Sequence, residues 1–78
     1  MNNEIENTWD TDELDLWFNN DEMLYDNAKS LARGSLDLED LAEKLEVFAC
    51  ENSLQYYCKV DLTEVDFEEV AKSFEDWI

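Results

Sequence analysis

Proline is absent from this 78-residue chain, and glycine occurs only once, at Gly34. Because proline and glycine supply most of the turn geometries of long loops and hairpins, the chain has little loop chemistry. Helices joined by short turns are the simplest fold for a chain with so few breaks. The sequence therefore predicts an all-α fold, a compact bundle of four to five short helices.

Capping residues and apolar spacing predict two helices in the first half of the chain. The first is expected over residues 11–19, with Asp10 as its N-cap and Glu13 as the capping-box partner. The second is expected to begin after Asn20 as its N-cap and to end at a left-handed Gly34. Their apolar faces are Leu14, Trp17 and Phe18 in the first, and Leu24, Tyr25, Ala28, Leu31 and Ala32 in the second.

The third helix has the clearest period. Asp37 is its predicted N-cap, and Leu36 and Leu41 are spaced for a hydrophobic staple. The helix is expected to end near residues 51–52. Its apolar residues follow a 3.6-residue repeat: Leu38, Leu41, Ala42, Leu45, Phe48 and Ala49.

Residues 53–60 alternate apolar and polar positions like a strand, but no second strand is available to pair with them. They are therefore predicted to be helical. A last helix is expected to begin at Asp66, with Glu69 completing a capping box and Phe74 and Trp77 facing the core. The whole chain is expected to form a single acidic helical domain over residues 1–78, with a loose N-terminal arm over residues 1–9.

The charge is strongly one-signed: 22 Asp and Glu stand against 5 Lys and Arg, giving a net charge of −17. Such a chain repels nucleic acid and anionic membrane surfaces directly, so a basic protein surface is its natural partner. Neither a secretory signal nor an apolar membrane span is recognisable, so a cytoplasmic location is expected. The chain is expected to be a monomer or a homodimer. Cys50 and Cys58 fit no zinc or redox spacing and are expected to be two buried free thiols.

Enzymatic chemistry is not expected, because the chain has no histidine, no glycine-rich phosphate loop and no nucleophile elbow. Among the acids, the run that begins at Asp10 resembles the start of a calcium loop. An EF-hand needs an oxygen ligand and then glycine at its fifth and sixth positions, where this chain has Leu14 and Asp15. No metal site and no cofactor are therefore predicted.

Many of the acids lie in predicted first turns, where they suit the helix dipole. Others, such as Glu43, Glu46 and Glu75, are not explained by that effect, and five basic residues cannot neutralise the excess. Acids three to four residues apart on a rigid helix are spaced closely enough to imitate a row of phosphates. The predicted contacts to a basic partner are Glu39, Glu43, Glu46, Glu68, Glu69, Glu75 and Asp76, with Tyr57 as an exposed aromatic.

The stretch "LDLWFNNDEMLYDNA", residues 14–28, resembles a motif of small phage and plasmid proteins of unassigned role. The stretch "VDFEEVAKSF", residues 65–74, is similar to their closing helix. In size, charge and helicity the chain also resembles phage DNA mimics, namely Ocr-type antirestriction proteins and acidic anti-CRISPR proteins. This resemblance implies a phage-encoded inhibitor of a host restriction or CRISPR-Cas complex that occupies its nucleic-acid-binding surface.

Three other interpretations remain open from the sequence. The first is an adaptor or allosteric inhibitor that recognises its partner by shape, through Tyr56 or Tyr57. The second is an acidic–aromatic activation segment that is disordered when free, against which the capping boxes argue. The third is a solvated, halophile-like acidic surface without a specific partner.

Overall fold

The computed structural model describes residues 8–78, which contain no β-strand. The α-helices are α1 (Trp9–Asn20), α2 (Glu22–Arg33), α3 (Leu38–Glu51), α4 (Leu54–Tyr57) and α5 (Phe67–Lys72). Two 3₁₀ turns, Leu62–Glu64 and Glu75–Trp77, lie before and after α5. The predicted all-α bundle of short helices is confirmed, including a helical turn within residues 53–60.

Of the predicted N-terminal arm, residues 1–7 lie outside the described part of the chain. Thr8 and Trp9 are exposed, and α1 already begins at Trp9. Among residues 8–78, no helix combines the length and the apolar character needed to cross a membrane.

One apolar core joins the helices. α3 packs against α5, and α1 packs against both α2 and α5, so that α5 lies between α1 and α3. The Phe18 ring centroid lies 6.2 Å from that of Phe48 and 6.4 Å from that of Phe74. The largest fully buried side chains are Phe18, Phe74, Leu14, Leu41, Leu45 and Val70.

Two buried polar side chains of α1 hold the chain segment that leads into α5. Asp10 Oδ1 accepts a hydrogen bond of 3.0 Å from the backbone N–H of Asp61, and Thr11 Oγ1 accepts one of 2.8 Å from the N–H of Asp66. The prediction that Asp10 caps α1 is therefore wrong. Asp10 lies inside the first turn, and Thr8 occupies the N-cap position without a side-chain capping bond.

We expect Thr11→Val to lower the free energy of unfolding by about 1–2 kcal/mol, because the part-buried N–H of Asp66 loses its acceptor. Thr11→Ser is the matched control, since it keeps the hydroxyl. Urea unfolding followed by far-ultraviolet circular dichroism measures both variants. Equal midpoints for Thr11→Val and the wild type would show that this hydrogen bond contributes nothing to stability.

The break between α1 and α2 lies one residue later than predicted. Asp21, not Asn20, is the N-cap of α2, and its carboxylate accepts from the backbone N–H of Leu24 at 3.1 Å. Asn20 instead donates its side-chain amide to the carbonyl oxygen of Leu16 and so extends α1. Aspartate and asparagine are comparable caps, so local sequence did not decide between them.

The predicted left-handed Gly34 is also wrong, because its φ is −98°. The end of α2 closes instead by a hydrogen bond of 3.1 Å from the Gly34 N–H to the Leu31 carbonyl. Left-handed backbone occurs at Ser53 and Lys59, with φ of 55° and 58°. Ser53 directly precedes α4, and Lys59 follows its C-cap residue Cys58.

Asp37 caps α3 as predicted, accepting from the Asp40 N–H at 2.9 Å. The staple between Leu36 and Leu41 is wrong, since Leu36 is 89% exposed while Leu41 is fully buried. The Leu36 N–H donates to the Asp40 carboxylate at 3.0 Å, and Lys44 bonds the same carboxylate at 3.1 Å. Hydrogen bonds to the Asp40 carboxylate therefore hold the start of α3, in place of the predicted contact between Leu36 and Leu41.

The C-terminal residues do not form one helix. α5 ends at Lys72, and Glu75 and Asp76 lie in the separate 3₁₀ turn after Phe74. Asp66 caps α5 as predicted, but Glu69 does not complete the capping box. The Glu69 carboxylate instead pairs with Lys72 at 3.0 Å.

Candidate functional site

Four of the predicted contact residues line one groove, between α3 and the segment that leads into α5. Its volume is about 310 Å³. α3 supplies the acids Glu39, Glu43 and Glu46, and the start of α5 supplies Glu68. The remaining lining residues are Ala42, Leu62, Thr63, Val65, Asp66 and Phe67.

The period of α3 explains why its three acids face this groove together. Residues 39, 43 and 46 are separated by four and three positions, which places their side chains on one side of the helix. All three are exposed, while Leu41, Leu45 and Ala49 form the buried stripe beside them. The acids therefore follow the edge of α3 where it packs against α5.

Asp66 fixes the opposite side of the groove. Its carboxylate accepts from the N–H groups of Glu68 at 3.1 Å and Glu69 at 3.4 Å. Its own N–H donates to the buried Thr11, as described above. Sequence reasoning assigned Asp66 to capping alone and left it out of the contact set, although a capping carboxylate can also line a surface.

Among the residues that the structure describes, five carboxylates line the groove and no lysine or arginine does. Four of the five basic side chains have other contacts within residues 8–78. Lys44 bonds the Gly34 carbonyl at 2.7 Å, while Lys29 and Arg33 lie 4.8 and 5.1 Å from the centre of the Trp77 ring. The acids of the groove therefore have no cation among its walls.

The other predicted acids lie outside this groove. Glu69 is paired with Lys72, and Glu75 and Asp76 belong to the turn that packs beside α2. The structure thus brings together four of the seven predicted acidic contacts and adds Asp66 to them.

Tyr57 lies elsewhere, at the end of α4. Its ring centroid is 5.1 Å from that of Trp17, and its hydroxyl donates to Asp21 Oδ2 at 2.8 Å. Both adjacent tyrosines are exposed, Tyr56 by 77% and Tyr57 by 52%. The four-residue helix α4 buries only Leu54, which leaves both tyrosines at the surface.

The hydrogen bond between Tyr57 and Asp21 shifts the titration of both groups. The pKa of Asp21 is lowered by the Leu24 N–H first and the Tyr57 hydroxyl second. The pKa of Tyr57 is raised by its hydrogen bond to the Asp21 carboxylate. The contribution of this pair to stability is lost as pH falls through the lowered pKa of Asp21. It is also lost as pH rises through the raised pKa of Tyr57.

We expect Asp21→Asn to lower the pKa of Tyr57 toward its ordinary value, because the amide removes the negative charge yet can still cap α2. Absorbance of tyrosinate at alkaline pH measures this shift. Subtracting the titration of Tyr57→Phe, with and without Asp21→Asn, isolates Tyr57 from the other tyrosines. An unchanged midpoint would contradict the hydrogen bond.

The two cysteines differ. Cys58 is buried, and burial raises the pKa of its thiol to about 11. Cys50 is exposed on α3, so the expectation of two buried thiols is wrong for Cys50. It falls at the last turn of the helix, beyond the packed stripe. Within residues 8–78, no three cysteine or carboxylate side chains converge as metal ligands.

Comparison of the chain with protein-family models, with curated proteins and with solved structures finds no match.

Proposed function

We propose that this chain is a phage-encoded, non-enzymatic inhibitor of a bacterial restriction or CRISPR-Cas complex. It acts in the cytoplasm of the infected cell, as a monomer or homodimer. In this role it is an acidic mimic of DNA that occupies a basic nucleic-acid-binding surface. The observation that carries the proposal is the groove of five carboxylates without a basic side chain in its walls. The resemblance of residues 14–28 and 65–74 to phage and plasmid proteins supports the same assignment.

The spacing of the acids along α3 is of the same order as the spacing of phosphates along a DNA strand, which supports mimicry of DNA. A helix rises about 1.5 Å per residue, so Glu39, Glu43 and Glu46 stand about 4.5–6 Å apart along α3. Phosphates along one strand of DNA follow every ~3.4 Å of the helix axis. The packing of α5 adds Glu68 and Asp66 as a second acidic edge across the groove. Folding therefore holds two rows of charge, where a flexible acidic peptide would first have to order them.

The net charge of −17 supports fast association with such a surface. A strongly one-signed field steers an oppositely charged partner and raises the association rate, and salt screens this effect. An inhibitor that must reach its target before the incoming DNA is cut gains directly from a fast encounter.

The function is tested in bacterial strains that carry a defined restriction or CRISPR-Cas system. Expression of the chain should restore plaque formation by a phage which that system normally excludes. With the purified complex from a responding strain, duplex DNA should compete with this chain for binding. Simultaneous binding of DNA and the chain without mutual loss of affinity would contradict mimicry.

An adaptor or allosteric inhibitor that binds by shape is the second candidate, favoured by the exposure of Tyr56 and Tyr57. In that mechanism, Tyr57→Ala abolishes binding and neutralisation of the groove acids has little effect. The mimic predicts the reverse order of effects.

A further inference from the structure

The side of α1 away from its buried residues is a second candidate binding surface, separate from the groove beside α3. Glu13, Leu16, Trp17 and Asn20 are three, four and seven positions apart and therefore share one side of the helix. The core-facing residues Leu14 and Phe18 are fully buried, whereas Leu16 is 57% exposed. A leucine with this exposure contributes little to the core, so its position is not explained by folding.

This face forms one wall of an open groove of about 510 Å³, lined by Glu13, Leu16, Trp17, Asn20 and Asp21. That volume lies within the range of about 300–1,000 Å³ that is typical of ligand pockets. The Tyr57 ring packs against Trp17 in a tilted arrangement, with ring centroids 5.1 Å apart, and its hydroxyl donates a hydrogen bond to Asp21. These contacts hold Trp17, and with it the apolar surface of the groove, in place before any partner binds.

The charges at the groove specify the occupant. Among residues 8–78, Glu13 and Asp21 line it, and no lysine or arginine does. An aspartate is ionised at neutral pH, and the hydrogen bonds from Leu24 and Tyr57 lower the pKa of Asp21 below its ordinary value. A second copy of the chain would bring another net charge of −17 to this face, which opposes self-association. Charge complementarity instead favours a basic segment.

We propose that the groove formed by Glu13, Leu16, Trp17, Asn20 and Asp21 binds a segment of a partner protein with an aliphatic side chain flanked by lysine or arginine. The aliphatic side chain lies on Leu16 and Trp17, and the flanking cations pair with Glu13 and Asp21. This surface shares no residue with the groove of Glu39, Glu43, Glu46 and Glu68. The assignment therefore holds whether or not that groove mimics DNA.

The test uses the full chain, labelled with ¹⁵N, and a short synthetic peptide with a Leu-Leu pair flanked by lysines and with blocked ends. Saturable shifts are expected for the backbone amides of residues 13–21 and for the Trp17 indole. Two further peptides, with serine for leucine and with glutamate for lysine, should each bind at least about tenfold more weakly.

Leu16→Ser is expected to weaken the binding of the Leu-Leu peptide by about tenfold. Leu36→Ser is the matched control, because Leu36 is an even more exposed leucine and does not line this groove. Both substitutions leave the core intact, which the amide spectrum of each free variant verifies.

Three results would overturn the proposal. The first is shifts confined to residues 39–46 and 66–68, which would place the peptide in the other groove. The second is equal affinity for the serine peptide, which would reduce the interaction to net charge. The third is concentration-dependent sedimentation that Leu16→Ser removes, which would assign the face to a second copy. None of these results depends on a defence complex, so the DNA-mimic proposal is tested separately.

Discussion

Replacing Glu39, Glu43, Glu46 and Glu68 together by glutamine is expected to weaken binding to the defence complex by about fourfold to several hundredfold. Exposed ion pairs contribute about 0.2–1 kcal/mol each, and 1.4 kcal/mol is a factor of ten in affinity. All four side chains are exposed and line one groove, so their replacement removes four of the five carboxylates that line it. Plaque restoration should fall in parallel with affinity.

A matched variant separates the pattern from the net charge. Asp12, Glu22, Asp26 and Glu51 are also exposed, lie outside this groove and do not belong to the predicted contacts. Replacing them by the corresponding amides changes the net charge by the same amount. This control should lose only the affinity that comes from long-range steering. Equal losses for the two variants would show that the groove does not act as a unit.

Salt provides a second readout of the same prediction. If the carboxylates occupy positions that phosphates take, affinity falls steeply with salt concentration for the wild type, and the slope becomes shallower for the groove variant. A shape-based interaction through Tyr57 would give a shallow slope for both. Circular dichroism checks that each variant keeps its fold.

The parts of the fold that were predictable from the sequence depend on local contacts. Asp37 and Asp66 each cap a helix by bonding N–H groups two to three residues away. The apolar period of α3 gave its buried stripe, because every residue of that stripe belongs to one helix. Such features need no knowledge of how the helices pack.

The error at Asp10 arises because a distant segment of the chain bonds its carboxylate. Asp10 and Thr11 bond backbone groups 51 and 55 residues away, and no local pattern distinguishes such an acceptor from a helix cap. The same limit applies to the candidate site. Glu39, Glu43 and Glu46 were recognisable as one row, but only the packing of α3 against α5 places Glu68 opposite them.

Glu75 shows a different limit. Its predicted place at the negative end of a long helix made it the least explained acid of the chain. The helix ends at Lys72, so Glu75 does not lie in the last turn of α5. The fully buried Phe74 follows the end of α5 and turns the chain toward the 3₁₀ segment.

Phe74→Ala is expected to lower the free energy of unfolding by about 3–5 kcal/mol, the usual cost of removing a fully buried phenylalanine side chain. Its ring meets Phe18 edge-on at 6.4 Å and lies 5.5 Å from Tyr25, so the cavity would open between α1, α2 and α5. A domain of this size has a total stability of about 4–12 kcal/mol. Urea unfolding should therefore show a large fall in midpoint.

Tyr56→Ala is the control for Phe74→Ala, because it truncates an exposed aromatic and should change stability by less than about 0.5 kcal/mol.

Self-repulsion among the acids makes the loss of stability in Phe74→Ala more severe at low ionic strength. Raising the salt from about 0.01 M to about 0.15 M shortens the Debye length from about 30 to about 8 Å. Salt should therefore restore part of the helical signal of Phe74→Ala. A midpoint for Phe74→Ala equal to that of the wild type at both salt concentrations would mean that Phe74 does not anchor the C-terminal segment to the core.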